Sequence, residues 1–245
     1  MKSYGKFFDL LAVLVLIEVI TRSSGYISTF ITPYFTGIDP DKAFVWSWVH
    51  HIIQLLLALS AMMLYPGIKM RDWGFNLDNS RLSLRIFMKF SLGWLIFYGI
   101  GAFITLKMSG HTSVYPFPLT SRNVVGYSGF MFIMPGISEE TLFRGFAMVV
   151  LGQSWKGILN IGKLTLPVSG LLAAFIFTYA HISYTIFPLK FYFNTGQLIA
   201  AFGLGIFYAI VFYKTKSLLC SVLCHNISDG IGFIIVWLLG MFMLA

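Results

Sequence analysis

Pro135-Gly136-Ile137-Ser138-Glu139-Glu140-Thr141-Leu142-Phe143-Arg144-Gly145 is the stretch on which the reading of this chain turns. Two adjacent carboxylates and an arginine interrupt surroundings that are otherwise apolar enough to sit in lipid. Only nine of the 245 residues are Asp or Glu, so two neighbours at one place stand out. A charged side chain near the bilayer centre costs roughly 2.5–3.5 kcal/mol on insertion scales. Three of them close together would cost on the order of 8–10 kcal/mol if they faced lipid. Some structure must pair or hydrate them, and a cluster of ionisable groups inside a membrane reads as a functional site.

Working outward, the whole chain is 58% hydrophobic and 11% charged, with a mean hydropathy of +0.82. Soluble domains carry about 25% charged residues. The expectation is an all-α, polytopic transmembrane helical bundle in which residues 1–245 form one domain. Apolar runs long enough to cross a bilayer fall at approximately 7–28, 43–65, 82–106, 123–151, 167–186, 195–213 and 217–243. That makes seven spans. The fourth and the last are long enough to be broken helices, and a break would add an eighth. There are no internal repeats and no low-complexity segments.

The net charge of +8 does not point to nucleic acid, because the basic residues form no stripe or tail. Instead they alternate between loops. Lys2, Lys6, Lys69, Arg71, Arg81, Arg85, Lys156, Lys163, Lys214 and Lys216 fall on one side, against Lys42, Lys107, Arg122 and Lys190 on the other. By the positive-inside rule the N-terminus is cytoplasmic, in a protein integral to the cell membrane. Lys2 and Lys6 followed by an apolar run resemble a secretory signal. No A-x-A site follows, so an uncleaved first helix is expected.

Several residues have bland readings. Cys220 and Cys224, a turn apart in an apolar run, read as small buried hydrophobes, since that geometry suits a disulfide poorly. Trp73 and Phe75, in the loop Arg71-Asp72-Trp73-Gly74-Phe75, read as interfacial anchors. His50 and His51 point about 100° apart on a helix and cannot clamp one metal together. Packing with a satisfied hydrogen bond is expected of them, with one free to face a polar cavity.

Three polar constellations remain. In Glu139-Glu140-x-x-x-Arg144, Glu140 and Arg144 are four apart and share a helix face, so they can form an ion pair. That leaves Glu139 as the free carboxylate, and two carboxylates in split environments suit acid–base work. A structural ion-pair knot would read the same way. The second constellation is Phe177-Thr178-Tyr179-Ala180-His181, on the fifth span. The third is His225-Asn226-Ile227-Ser228-Asp229 on the last, where His225 and Asp229 share a face. Burying three polar patches costs least if they meet around one wet cavity, so convergence on a single site is expected.

The order EExxxR, FxxxH and HxxxN/D on successive membrane helices resembles the CPBP family, which comprises CAAX prenyl endopeptidases and bacteriocin-processing or self-immunity proteins of the Abi type. The resemblance covers roughly residues 120–240, which would form the catalytic core. It implies an intramembrane protease acting on a peptide or protein at the membrane, among membrane lipids. Carried over, Glu139 would be the general base, activating water together with His181. Glu140 and Arg144 would support that site, with Phe177 and Asn226 beside its motif histidines. His225 and residue 229 would stabilise the tetrahedral oxyanion. Where many members have asparagine this chain has Asp229, and an ionised aspartate accepts hydrogen bonds only. Either it is protonated, or it orients His225 while that residue donates.

A third option for Asp229 is a metal. His181, His225 and a carboxylate would make a three-ligand zinc site, but no HExxH occurs, and the expectation is a reaction without a cofactor. Gly126-Tyr127-Ser128-Gly129 looks like the GxSG motif of rhomboid proteases. Ser128, however, precedes Glu139 by eleven residues, about 16 Å along a helix, and small residues that let helices pack explain the motif without chemistry. Two non-protease readings stand beside these. One is an immunity or scaffolding protein that binds a bacteriocin or membrane partner. The other is a small proton-coupled carrier, against which the missing repeat argues.

Overall fold

In lipid, backbone N–H and C=O groups can be satisfied only within the segment itself, so long apolar runs fold as helices. The computed structural model describes residues 3–109 and 115–244 and is an all-α bundle. In chain order its elements are α1 (Ser3–Ile31), α2 (Val45–Leu64), α3 (Ser80–Ser109) and α4 (Ser121–Glu140). A π-helical segment (Thr141–Met148) joins α4 to α5 (Val149–Ser154), so 121–154 is one interrupted helix. A hairpin of β1 (Ile158–Ile161) and β2 (Leu164–Pro167) leads into α6 (Val168–Tyr179). A second hairpin, β3 (Ser183–Thr185) and β4 (Lys190–Tyr192), precedes α7 (Thr195–Thr215) and α8 (Leu218–Leu244).

Among the described residues, α1, α2, α3, α7 and α8 are long and apolar enough to cross a membrane. α4 has the length but carries Arg122, Asn123, Glu139 and Glu140. The expected span at 167–186 divides: α6 has twelve residues, about 18 Å of helix, and the chain then turns into β3. Ser183-Tyr184-Thr185 favours a strand, and Pro188 stops any return to helix. The last span is one unbroken helix.

The interrupted helix runs through the centre, where every residue of Thr141–Met148 is buried. Leu142, Phe143, Phe146 and Ala147 pack with Ile17 of α1 and with Ala58 and Met62 of α2. Trp73 belongs to this core too, which corrects the expectation of an interfacial anchor. It is fully buried, stacked on Phe146 with ring centroids 6.0 Å apart and edge-on to Tyr65. Phe75 is 39% exposed. The loop can turn Trp73 inward because Gly74 takes φ +97°, where a Cβ would lie 2.6 Å from the Phe212 ring. The Gly74 carbonyl then accepts from Leu218 N at 3.0 Å, and Asn76 Nδ2 donates to the Lys216 carbonyl at 2.8 Å.

Lys6, Arg71, Lys156 and Lys216 gather at one end of the bundle. The Lys6 carbonyl accepts from Trp155 Nε1, while Arg71, Lys156 and Lys216 line one cavity of about 580 Å³. Lys2 lies outside the described residues. Cys220 and Cys224 are buried and free, as expected.

Candidate active site

The site is built where α4 meets α8. Pro135 has no N–H to give its helix, and Asn226 of α8 fits the resulting weak point. Gly136 N donates to Asn226 Oδ1 at 2.7 Å, and Asn226 Nδ2 donates to the Ile133 carbonyl at 2.9 Å. A side chain at 136 would prevent this approach, since a Cβ there would meet the Val222 carbonyl at 2.5 Å. Pro135-Gly136 and Asn226 therefore fix the register in which the charged residues of the two helices face each other.

One turn on, Glu140 and Arg144 are both wholly buried. Glu140 Oε1 accepts from Arg144 Nη1 at 2.9 Å and from His225 Nδ1 at 2.8 Å. Arg144 Nη2 donates to the Gly205 carbonyl at 3.1 Å, and its guanidinium lies over the rings of Phe177 and Tyr208, 4.6 and 5.2 Å from their centroids. The ion pair expected from the four-residue spacing is thus present, and it reaches α6, α7 and α8 at once. The π-helical turn that carries Arg144 is a deformation common at functional sites.

His225 is gripped on three sides. Its ring stacks on Tyr208 at 5.0 Å and 14°, and meets Phe177 edge-on at 5.9 Å. Tyr208 is held in turn by a 2.9 Å hydrogen bond between its hydroxyl and Ser228 Oγ. With Nδ1 committed to Glu140, Nε2 faces Glu139 Oε2 at 3.6 Å and Asp229 Oδ2 at 3.5 Å. One proton on Nε2 can therefore serve either carboxylate. Asp229 is the more open of the two, at 31% side-chain exposure against 18% for Glu139.

His181 follows the end of α6. Its Nδ1 lies 2.8 Å from the Phe177 carbonyl, one turn back, and its ring is edge-on to Phe177 at 4.8 Å. A carbonyl only accepts, so Nδ1 carries a proton, and a neutral ring would present its lone pair at Nε2. Glu139, His181, His225 and Asp229 all line one cavity of about 690 Å³, walled by Trp94 and Tyr98 of α3, Leu204 of α7 and Phe233 of α8. The three sequence constellations thus open onto a common space. The arrangement offers a carboxylate, imidazole donors and acceptors, and room for an extended apolar chain.

One of the two adjacent histidines packs with a satisfied hydrogen bond, as expected, and also comes close to the site. His51 of α2 lies with Nδ1 2.5 Å from Ser138 Oγ and Nε2 3.9 Å from Glu139 Oε1. The signal that could have found it is a stripe at helical spacing, in which His51 is followed by the buried Gln54, Ala58 and Met62. His50 stacks on Trp46 instead, with centroids 4.9 Å apart. Ser128 takes no part: its hydroxyl donates to the Val124 carbonyl, and it does not line the cavity. Among the described residues no three His, Cys, Asp or Glu side chains are gathered to hold a metal ion.

No curated protein and no solved structure matches the chain. Residues 121–231 do match a family model, that of the type II CAAX prenyl endopeptidases described as Rce1-like. The matched segment begins at α4, ends in α8 and contains the Glu139-Glu140-Arg144, His181 and His225-Asp229 constellations. The protein is an integral membrane protein, and its residues 121–231 are similar to the Rce1-like type II CAAX prenyl endopeptidases.

Proposed function

We propose that the protein is an intramembrane endopeptidase in which Glu139 activates a water molecule for attack on a peptide bond. The observation that carries this reading is the shared cavity of Glu139, His181, His225 and Asp229. Water bound between Glu139 and the free Nε2 of His181 gives up a proton to Glu139 as its oxygen adds to the scissile carbonyl. Negative charge then builds on the carbonyl oxygen, and His225 donates to it from Nε2. When the tetrahedral intermediate collapses, the C–N bond breaks and Glu139 returns its proton to the leaving amine. Glu140 and Arg144 serve by holding His225 through Nδ1, and Phe177 backs both imidazoles. Asn226 keeps α4 and α8 in register. An ionised Asp229 accepts hydrogen bonds and cannot itself face an oxyanion, so it is the resting partner of the His225 Nε2–H, 3.5 Å away, and gives that hydrogen up to the carbonyl oxygen as charge builds there. No step is routed through a metal.

The substrate is a peptide or protein held at the membrane. Aromatic and aliphatic cavity walls suit an apolar or lipidated segment, and a prenylated CAAX tail is the first candidate. The catalytic core is residues 120–240 within a single transmembrane domain. By the positive-inside rule the basic end, with Lys6, Arg71, Lys156 and Lys216, is the cytoplasmic one in this reading, with the N-terminus on that side. The test is incubation of the purified protein, in lipid nanodiscs, with a prenylated peptide ending in a CAAX sequence and with its unprenylated form. Mass spectrometry should find new fragments from the prenylated peptide with wild type and none with Glu139→Gln. Intact peptide with wild type would overturn the CAAX assignment, and equal cleavage by Glu139→Gln would overturn the mechanism.

A further inference from the structure

Glu139 has two carboxylate oxygens in unlike settings. Oε2 is 3.6 Å from His225, a residue that lines the cavity. Oε1 is 3.9 Å from Nε2 of His51 on α2. His51 is absent from the cavity lining and lies seventy residues before the family-matched segment 121–231. It approaches the carboxylate from α2, outside the residues that line the cavity.

The carboxylate beside His51 selects which of its nitrogens carries the proton. Ser138 Oγ is 2.5 Å from Nδ1 and accepts from Gln54 Nε2 at 3.4 Å. The Ser138 hydroxyl has two lone pairs and also lies 3.4 Å from the Pro135 carbonyl, so it can donate to Nδ1 or accept from it. The tautomer that offers Glu139 a donor is the one in which Ser138 donates to Nδ1 and Nε2 of His51 keeps its hydrogen. The opposite tautomer would set an Nε2 lone pair against a carboxylate oxygen, which is repulsive. At 3.9 Å the pair is longer than a hydrogen bond and too close for a bridging water, which needs about 4.5 Å or more between its partners. A side-chain rotation of about 1 Å closes it, and catalytic hydrogen bonds commonly tighten when substrate binds. The groups facing His51 are His50 on its own helix, Phe130, Ser138 and Glu139 on α4, and His225 on α8. Phe130 meets its ring edge-on at 5.0 Å and restricts its rotation.

We infer that His51 is a positioning residue for Glu139: Gln54, Ser138 and His51 form a relay from α2 that holds Oε1 by an Nε2–H and so turns Oε2 toward the reacting water. The inference rests on the reading of Glu139 as the base. It also gives the N-terminal half of the chain, beyond the reach of the family match, a part in the chemistry.

Two readouts test it separately from that reading. The first needs no substrate. The infrared difference between wild type and Glu139→Gln isolates the Glu139 carboxyl band. His51→Phe should shift this band, and His51→Gln, whose amide N–H reaches near the imidazole Nε2, should return it toward the wild-type position. His51→Asn keeps the Ser138 contact but falls short of Glu139, so it should behave like His51→Phe. The second readout is cleavage of the prenylated CAAX peptide. His51→Phe should lower kcat by about 10–100-fold, the range usual for partners that orient a catalytic ligand, with KM within about twofold. His51→Gln should recover most of the rate, and thermal unfolding of the variants should match wild type. An unshifted band in His51→Phe overturns the inference whatever the activity. So does a rate recovered by His51→Asn as fully as by His51→Gln, which marks a packing role. Wild-type cleavage by Glu139→Gln overturns the catalytic reading instead.

Discussion

Replacing Arg144 with methionine keeps an unbranched apolar stem and removes the charged guanidinium. In the native protein the guanidinium is wholly buried, 2.9 Å from Glu140 and 3.1 Å from the Gly205 carbonyl, and lies over two rings. Removing one partner of a buried ion pair costs about 3–5 kcal/mol, because the other charge stays behind. The stranded Gly205 carbonyl adds about 1–3 kcal/mol. His225 still pairs with Glu140 through Nδ1, which keeps the sum toward the lower end, about 4 kcal/mol. Each kcal/mol moves the midpoint of a 150–250-residue domain by about 2–4 °C, so Arg144→Met should unfold about 8–16 °C below wild type in detergent. Glu140→Gln should lose less, since its amide still accepts from both neighbours. The double variant should be milder than the sum, with a coupling energy of at least about 1.5 kcal/mol. An Arg144→Met midpoint within 2 °C of wild type (about 0.5–1 kcal/mol), or strict additivity with Glu140→Gln, would refute the claim that this pair is an uncompensated buried charge once broken.

Asn226→Leu leaves Gly136 N and the Ile133 carbonyl without their cross-helix partner and should destabilise by about 2–4 kcal/mol, read as loss of the folded fraction in an SDS titration. Trp73→Ala should cost about 3–5 kcal/mol by the same titration. A surface anchor at that position would lose about 1 kcal/mol or less. Treatment with EDTA should leave peptide cleavage unchanged, and inhibition that added Zn²⁺ reverses would contradict the mechanism without a metal.

The polar site was legible because cost singles it out. Glu139, Glu140, Arg144, His225 and Asp229 are expensive in an apolar setting, and their four-residue spacings say which pairs share a face. The helical stripe His51, Gln54, Ala58 and Met62 places His51 on the inward face of α2 but does not say what it meets there. Beside His50 it looks like one of two packed imidazoles, and its meaning depends on Ser138 and Glu139 arriving from another helix. Trp73 was misread because Lys69, Arg71 and Asp72 around it have the composition of an interface. Only the positive φ of Gly74 turns the indole into the core. The short α6 and the hairpin after it share one apolar run, in which hydrophobicity alone does not separate helix from strand. Nothing in Thr141–Met148 marks it as π-helical, since that widening answers to packing against α2, α6 and α7 rather than to propensity.

The claim that a glutamate base drives the reaction is tested most directly by the single-turnover cleavage rate of Glu139→Gln in nanodiscs, measured beside its unfolding midpoint. The variant keeps the shape of the side chain and loses only the capacity to take a proton. Loss of a general base removes about 10²–10⁴-fold, so the rate should fall by at least about a hundredfold while the midpoint stays at the wild-type value. Cleavage within tenfold of wild type (about 1.4 kcal/mol in the barrier), by a protein that is equally folded, would contradict it.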